Sequence, residues 1–525
     1  MKPKESNKNW FKDLCKNAII RRNELRKKAL QNTSDECIRE YDEQRKLTNK
    51  ALRREKRLHE KKKIEEIEIS RYNAKKFFEM TGEVKVGFKP QTRILVDGTG
   101  TMITEEREVI NQFKEHFEDL LNQPSIGHDL NPSKDCLTAE IDIDAPKYEK
   151  IYNLIKRLKN NKAPGENSIV AELLKKVFVD YKQAYDSVDR EELWKALVIL
   201  GIPKKYVYLI KACYEKTLCR VCYIQGISDP FQVKSGLKQG DALSPALFNL
   251  ALEKIIRDTN DDRRMEISNE QVMLAYADDI VLMGETKEEI INSTSKLINV
   301  SKGIGLRVNE GKTKYMVVSR RPPNIDSIVV DNYKFEKVDN FKYLGVNINN
   351  KNNMHIEINK RITSGNRCYF SIIKLMSSKL LLRESKILLY HSYLRPVITY
   401  VCETWSLTKG DSRRLITFER KVLRTIYGPI FNPETQTYER RSNENIRSLY
   451  NKPDIPYFIG KKRLEWFGHA WRADGQLIKN VLINKINKAR PLGRPKTRWI
   501  NVVAKDIEII DQDATLETAY QRGRW

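Results

Sequence analysis

A chain of 525 residues is long enough for several domains, and 40% hydrophobic residues suffice to build folded cores. Its 96 Lys and Arg against 70 Asp and Glu leave a net charge of +26, so the expected partner is a polyanion, nucleic acid first and an acidic membrane surface second. The sequence lacks the run of about 18 apolar residues that a membrane span requires, and the N-terminus MKPKESNKNWFKDL has no apolar signal core. An intracellular protein of the nucleus or cytoplasm is therefore expected. Eight scattered cysteines read as reduced thiols, and the lone pair Cys219 and Cys222 reads as strand residues because no second pair or nearby histidine completes a zinc site.

Residues 1–81 read as a charged helical region. The text KALRREKRLHEKKKIEEIEISRYNAKKFFEM sets opposite charges at i to i+4 spacing, with apolar residues too sparse for a core. A long exposed helix and a nucleic-acid-binding arm both fit. Residues 82–147 read as a hairpin and helix linker. Strand text from Ile94 to Val96 and Thr101 to Thr104 surrounds an Asp97-Gly98 turn, and Val109, Ile110, Phe113, Phe117 and Leu120 then recur at helical spacing. A loop rich in Pro, Gly and Asn runs from Gln123 to Pro132.

From Tyr148 the pattern gives a basic helix, a Lys162-Ala163-Pro164-Gly165 break and a second helix after Ser168. The apolar strand Val177-Phe178-Val179 ends on Asp180, a typical place for a metal ligand and also for a solvated acid. Asp189 and Glu192 predict a capping box for a helix whose apolar face is Leu193, Trp194, Leu197 and Leu200 and which Gly201 and Pro203 stop. Residues 219–235 read as a hairpin turning at Gly226 to Pro230. In SGLKQGDALSP, Gly236 and Gly240 permit close approach of a backbone or a nucleotide, while Ser244 and Pro245 open a helix.

VMLAYADDIVLM, from Val272 to Met283, sets Asp278 and Asp279 between two apolar tetrads, the pattern of a buried hairpin with carboxylates at its turn. Two such carboxylates repel and resist burial; hard divalent cations, Mg²⁺ or Mn²⁺, relieve them. An ordinary acidic turn is the plainer alternative. Thr286 and Glu289 cap the next helix, LRVN and KYMVVS flank a turn with Lys312 and Lys314, and FKYLGVNI supplies a further strand.

Taken together, FVDYKQAYDSVD, SGLKQGDALSP, YADDIVL, GLRVNEGKTKYM and FKYLGVNI, in that order, resemble the successive palm motifs of the reverse transcriptases of non-LTR (LINE-type) retrotransposons. The resemblance implies an α+β right-hand polymerase: a palm of antiparallel sheet backed by helices over residues 148–350, a helical thumb or connection over 351–440, and a basic, Trp-containing region over 441–525. It implies RNA-directed DNA polymerisation with RNA template, DNA primer, dNTP and two Mg²⁺ or Mn²⁺ ions. Asp180 and Asp278 would hold both metals, with Asp279 a supporting carboxylate. Tyr185 matches a steric gate against the ribose 2′-hydroxyl, a core aromatic being the alternative, and Gln239 and Gly240 match the nucleotide-side loop. Lys312 or Lys314 is a candidate general acid, with plain surface lysines as the alternative. Phe341, Tyr343, Leu344 and Gly345 fall in a primer-grip hairpin.

One departure from the family pattern stands out. Several dozen residues of fingers normally separate the AELLKK helix from the FVDYKQAYDSVD strand, and here Lys176 runs straight into Val177. Truncated fingers predict low polymerase activity or a catalytically dead remnant that only binds nucleic acid. Nothing before Tyr148 offers the His, Asp and Glu constellation of the family's endonuclease, so that domain is expected to be absent. Toward the C-terminus, Lys461, Lys462, Arg463, Arg494, Lys496 and Arg498 are candidate nucleic-acid contacts, with Trp466, Trp471 and Trp499 as stacking platforms or, equally, as buried anchors.

Overall fold

The computed structural model describes residues 10–31, 34–85, 95–96, 102–103, 105–122, 175–223, 226–259, 272–284, 286–318, 326–473, 478–479, 482, 498–521, 523 and 525. The two helices expected between Tyr148 and Lys176, the loop from Gln123 to Pro132, Arg494 and Lys496 lie outside them. The chain divides into two compact units. One joins Met1–Pro90, Ile358–Cys402 and Leu407–Lys462, and the other joins Gln91–Glu357, Glu403–Ser406 and Arg463–Trp525.

In the first unit, α1 (Asp13–Gln31) and α2 (Asp35–Ile69) form an antiparallel helical hairpin, with Ser34 capping α2 by accepting from the Cys37 amide. The fully buried Thr48 fastens the pair: its hydroxyl donates to the carbonyl of Ala18 at 3.0 Å. After α3 (Ala74–Lys85), the N-terminal region turns out to have a core, contrary to the expectation from its composition. Cys15, Ile67 and Phe77 are fully buried, and Phe78 meets Tyr393 edge to face at 5.8 Å. Few apolar residues suffice because distant helices supply the other half of the contact.

The second unit begins with a small hairpin, β1 (Leu95–Val96) on β2 (Met102–Ile103), and α4 (Glu106–Leu121), both as expected. Next come β3 (Lys175–Val179), a helical turn at Ala184–Ser187, α5 (Arg190–Ile199) and α6 (Lys204–Tyr214). Asp189 caps α5 through the amides of Glu191 and Glu192, but the Glu192 carboxylate turns to Lys195 at 2.8 Å, so only half of the expected capping box is used. The hairpin that follows is a broken ladder. β4 (Leu218–Cys219) pairs with β7 (Phe231–Gln232), and β5 (Cys222–Tyr223) with β6 (Gly226–Ile227), so Gly226 lies in a strand rather than at the expected turn. α4 packs on this hairpin so closely that a Cβ on Gly226 would sit 2.3 Å from Ile110. At its end Asn122 imitates a strand: its amide donates to Gln232 O at 2.9 Å and accepts from the Lys234 amide at 2.8 Å.

α7 (Ser244–Thr259), β8 (Val272–Tyr276), β9 (Asp279–Gly284), α8 (Lys287–Gly303), β10 (Lys314–Val317), β11 (Ser327–Val330) and β12 (Tyr333–Lys337) complete the main layers. The Ser244 hydroxyl donates to Lys238 O at 2.7 Å, while α8 has the full Thr286–Glu289 capping box. The sheet runs β11-β12-β10-β3-β9-β8. It is antiparallel except for the parallel pair β10 and β12, a correction to the all-antiparallel expectation. LRVN contributes one isolated bridge, Val308 to Tyr181, rather than a strand. Alternation divides the sheet by face. Val177, Val179, Ile280 and Leu282 join Leu193, Phe248 and Leu297 of the backing helices, whereas Phe178, Val281, Met283 and Met316 meet a further hairpin, β13 (Asn340–Tyr343) with β14 (Val346–Asn349). Each large apolar side chain buried in these layers contributes about 1.5–3 kcal/mol.

Past α9 (Met354–Ser371), the helical text around LRESKILLYHSYLRPVITY contains a π-helical stretch at Tyr390–Leu394. In the first unit α10 (Lys409–Tyr427) buries Glu419, which accepts from Tyr390 at 2.6 Å and from the Ile455 amide at the start of α11 (Ile455–Arg472) at 3.0 Å. In the second unit the end of α11 packs with α12 (Trp499–Ile510) around Phe467, Trp471 and Val503.

Candidate active site

β3 and β9 bring the carboxylates together by register alone. Their last ladder pair is Val179 with Ile280, so the next positions, Asp180 and Asp279, stand opposite each other, on the sheet face of Phe178 and Val281. Asp278 occupies the two-residue turn between β8 and β9 with Ala277, whose φ of +49° is a left-handed conformation that only the tight turn explains. Burial raises the Asp279 carboxyl above its ordinary value, and the fields of Asp278 and Asp180 raise it further. One oxygen of Asp180, Oδ2, is buried without a hydrogen bond, and the Lys312 ammonium lies 3.7 Å from it.

The residues expected on the nucleotide side gather around the turn after β3. Tyr185 stacks on Phe248 at 4.6 Å, so it is a core-packed aromatic, and burial followed by the field of Asp278 raises its phenol. Of the two alternatives read from the sequence, the packing on Phe248 is the core aromatic. Gln239 donates to both carboxylate oxygens of Asp186 at 3.0 Å. Gly236 is required where it is: a Cβ there would come within 2.5 Å of the Asp186 carbonyl oxygen, at a φ of +72°. Gly240, at φ +89°, faces open space among the described residues.

Sequence reading missed Arg190, which the structure shows holding this loop. Its buried guanidinium donates to the carbonyls of Gly236 at 2.8 Å, Val233 at 2.9 Å and Tyr214 at 3.3 Å. The signal was thin, a basic residue at the first position of a helix where acids are preferred.

The two candidate acids separate. Lys314 is ion-paired with Glu336 at 2.8 Å across β10 and β12, leaving Lys312 as the lysine beside the carboxylates. The hairpin of β13 and β14 turns on Leu344 and Gly345, both at positive φ, and Phe341 stacks on Phe178 at 4.1 Å. Tyr343 lies 5.9 Å from Phe178, and burial with the field of Asp279 pushes its phenol up to about 12.

The chemistry of this donor set suits hard cations: carboxylate oxygens, one of them buried and unsatisfied. Among the described residues no three His, Cys, Asp or Glu side chains are gathered into a metal-holding group, so the carboxylates stand close enough to repel without being drawn onto a common point.

Residues 144–348 match the family model of reverse transcriptase (RNA-dependent DNA polymerase). Among curated proteins, a transposon-derived protein of Caenorhabditis elegans is 28% identical over 254 residues, 47% of this chain and 89% of its own length. The Pol polyprotein of the retrotransposable element R2DM of Drosophila melanogaster is 28% identical over 180 residues, 32% of this chain. Over residues 144–348 the chain is similar to the reverse transcriptases of non-LTR retrotransposons. The described part of this region has the α+β arrangement given above, a six-stranded sheet backed by helices. The alignments span only 17% of the Drosophila polyprotein and 19% of a Nasonia vitripennis relative. Of solved structures, apo telomerase from Candida Tropicalis aligns over 67% of this chain and 54% of its own, at 14% identity and a TM-score of 0.29, and the assignment does not rest on it.

Outside the reverse transcriptase domain, the C-terminal candidates divide. Arg463 is 3% exposed and ion-paired with Asp506, so its charge is neutralised inside the unit, contrary to the surface role expected of it. Trp471 is buried beside Phe467, and the indole of Trp499 donates to Glu403 O at 2.8 Å, both as anchors. Lys461 is exposed, Lys462 and Arg498 are half-buried. No described helix is long and apolar enough to cross a membrane.

Proposed function

We propose that the palm is a two-metal nucleotidyl-transfer site for RNA-templated DNA synthesis whose polymerase activity is impaired by loss of the fingers segment between Lys176 and Val177. The observation that carries the metal reading is the facing pair Asp180 and Asp279 with Asp278 on the turn, one oxygen of Asp180 being buried without a hydrogen bond. Asp180 and Asp278 would hold the ions, and Asp279 would support them. When bound there, two divalent cations activate a primer 3′-hydroxyl and neutralise the departing pyrophosphate. Tyr185, braced by Phe248, walls the sugar side and excludes a 2′-hydroxyl, so that dNTP is favoured. Gln239 and Gly240 line the nucleotide and template. Lys312, rather than Lys314, is the acid for the leaving group, and Phe341 to Gly345 hold the primer strand.

The impairment reading draws support from Lys176. This lysine, from text of helical character, lies on the central strand between its ladder partners Met283 and Met316, is 8% exposed, and has its ammonium lowered by burial. A buried cation between two methionines is a costly placement, and a join between segments shaped in other surroundings would account for it. The same observation favours the second reading, a catalytically dead remnant that binds nucleic acid, and one experiment separates them. Primer extension on poly(rA)/oligo(dT) with Mg²⁺ or Mn²⁺ is compared with Asp278→Ala, and Tm is read with and without Mg²⁺. Weak extension that Asp278→Ala abolishes, with a Mg²⁺-dependent rise in Tm, supports the proposal. Vigorous extension overturns the impairment; no extension leaves the remnant reading; no Mg²⁺ effect on Tm overturns the metal site.

A further inference from the structure

The first unit carries a charged surface that the palm reading does not use. On α2, Lys46, Lys50, Arg53, Arg54 and Arg57 recur at spacings of three and four, which places all five within a sector about 100° wide over about 16 Å of helix. All five are exposed, and none makes an ion pair among the described residues. The opposite side of α2 is the one taken by α1: Thr48 bonds Ala18, and Glu55 meets Lys12 at 3.7 Å. The stripe therefore lies on the outer face, pointing away from the unit's own hairpin. It ends where later elements cover the helix, Glu60 pairing with Lys374 and Glu68 accepting from the Leu382 amide.

Five unpaired cations in a row repel one another, and a helix retains such a row at a cost unless an anion occupies it. We propose that this stripe is a docking surface for the phosphate backbone of double-stranded nucleic acid, carried by the first unit and independent of whether the palm is catalytic. A duplex strand presents one phosphate per roughly 3.4 Å of axis, so 16 Å of rigid helix spans about five of them, one for each cation. The stripe contains no aromatic residue, whereas single-stranded nucleic acid is held by stacking platforms interleaved with charge. A membrane surface fits less well because it needs an apolar face, and α2 turns its buried side to α1, leaving Leu47 and Leu58 beside the stripe.

The test uses the full chain carrying Lys46→Gln, Lys50→Gln, Arg53→Gln, Arg54→Gln and Arg57→Gln together, with circular dichroism to verify retained helix. Lys27→Gln with Lys28→Gln is the control for charge removed elsewhere in the same hairpin. Fluorescence anisotropy against a 24-base-pair duplex RNA, the same duplex as DNA, a single-stranded RNA and phosphatidylserine vesicles reads the outcome. Expected is a loss of about tenfold or more in duplex affinity near 150 mM salt, and a fall of about four in the slope of log K against log salt, with the control unchanged. Duplex RNA affected alone, duplex DNA affected alone, or both affected alike all support the surface. Unchanged duplex binding and slope, an equal loss for single-stranded RNA, or a loss confined to vesicles overturns it.

Discussion

The guanidinium of Arg190 donates to the carbonyl of Gly236 at 2.8 Å, tying the first residue of a helix to the loop that carries Gln239. Two more carbonyls, of Val233 and Tyr214, accept from the same group, so a single buried side chain satisfies three backbone acceptors that the strand ladders leave open.

Arg190→Met is expected to cost about 3 kcal/mol, since it strands the carbonyls of Gly236 and Val233 in the interior, while that of Tyr214 keeps the Thr217 hydroxyl at 3.0 Å. Hydrogen exchange at the amides of Gly236 and Leu237 is expected to accelerate more than at β3. Arg190→Lys, which offers one point charge in place of a fork, recovers only part of both effects. Exchange unchanged in the loop would show that packing of Leu237 alone holds it.

Lys176→Met is expected to stabilise the protein by about 1–2 kcal/mol, because it replaces a buried cation between Met283 and Met316 with a matching apolar chain. The pH dependence has a definite sign. Burial lowers the Lys176 ammonium below 10.5, so between that lowered value and 10.5 the unfolded chain binds more protons and stability rises with pH. Urea unfolding at a series of alkaline pH values measures this rise, and in Lys176→Met the contribution disappears. A variant no more stable than the parent would mean that the ammonium reaches water.

Phe178 and Phe341 stack at 4.1 Å with an interplanar angle of 20°, the main aromatic contact between sheet and β13–β14 hairpin. A double-mutant cycle with Phe178→Leu and Phe341→Leu is expected to give a coupling of about 0.5–1.5 kcal/mol, with Phe178→Leu the more costly single change because it is the more buried. Coupling near zero would show that the hairpin is held elsewhere, by Glu357, which accepts from the Asn347 amide at 2.8 Å.

Much of the palm was legible because its signals are local. Two apolar tetrads around a turn gave β8 and β9, and Thr286 with Glu289 gave the start of α8, each from residues within a few positions of one another. What could not be read is whatever depends on distant partners. The sparse apolar residues of α1 to α3 became a core only because Tyr393 and its neighbours lie against them. The parallel pairing of β10 with β12 follows from β11 taking the outer edge and β12 returning between it and β10, which no local pattern encodes. Among site residues, alternation along β3 and β9 puts Asp180 and Asp279 on one face, so their meeting was readable once the strands were. The separation of Lys312 from Lys314 was not, because it turns on Glu336 in another strand.

Asn122 is fastened to Gln232 and Lys234, and β3 is laced between β9 and β10. The chain from 123 to 174 is thus moored at both ends on the same unit. Closing a tethered segment depends only weakly on its length, about 0.6 kcal/mol for each doubling. A change of dozens of residues in the length between those moorings would therefore alter the stability of the fold by little.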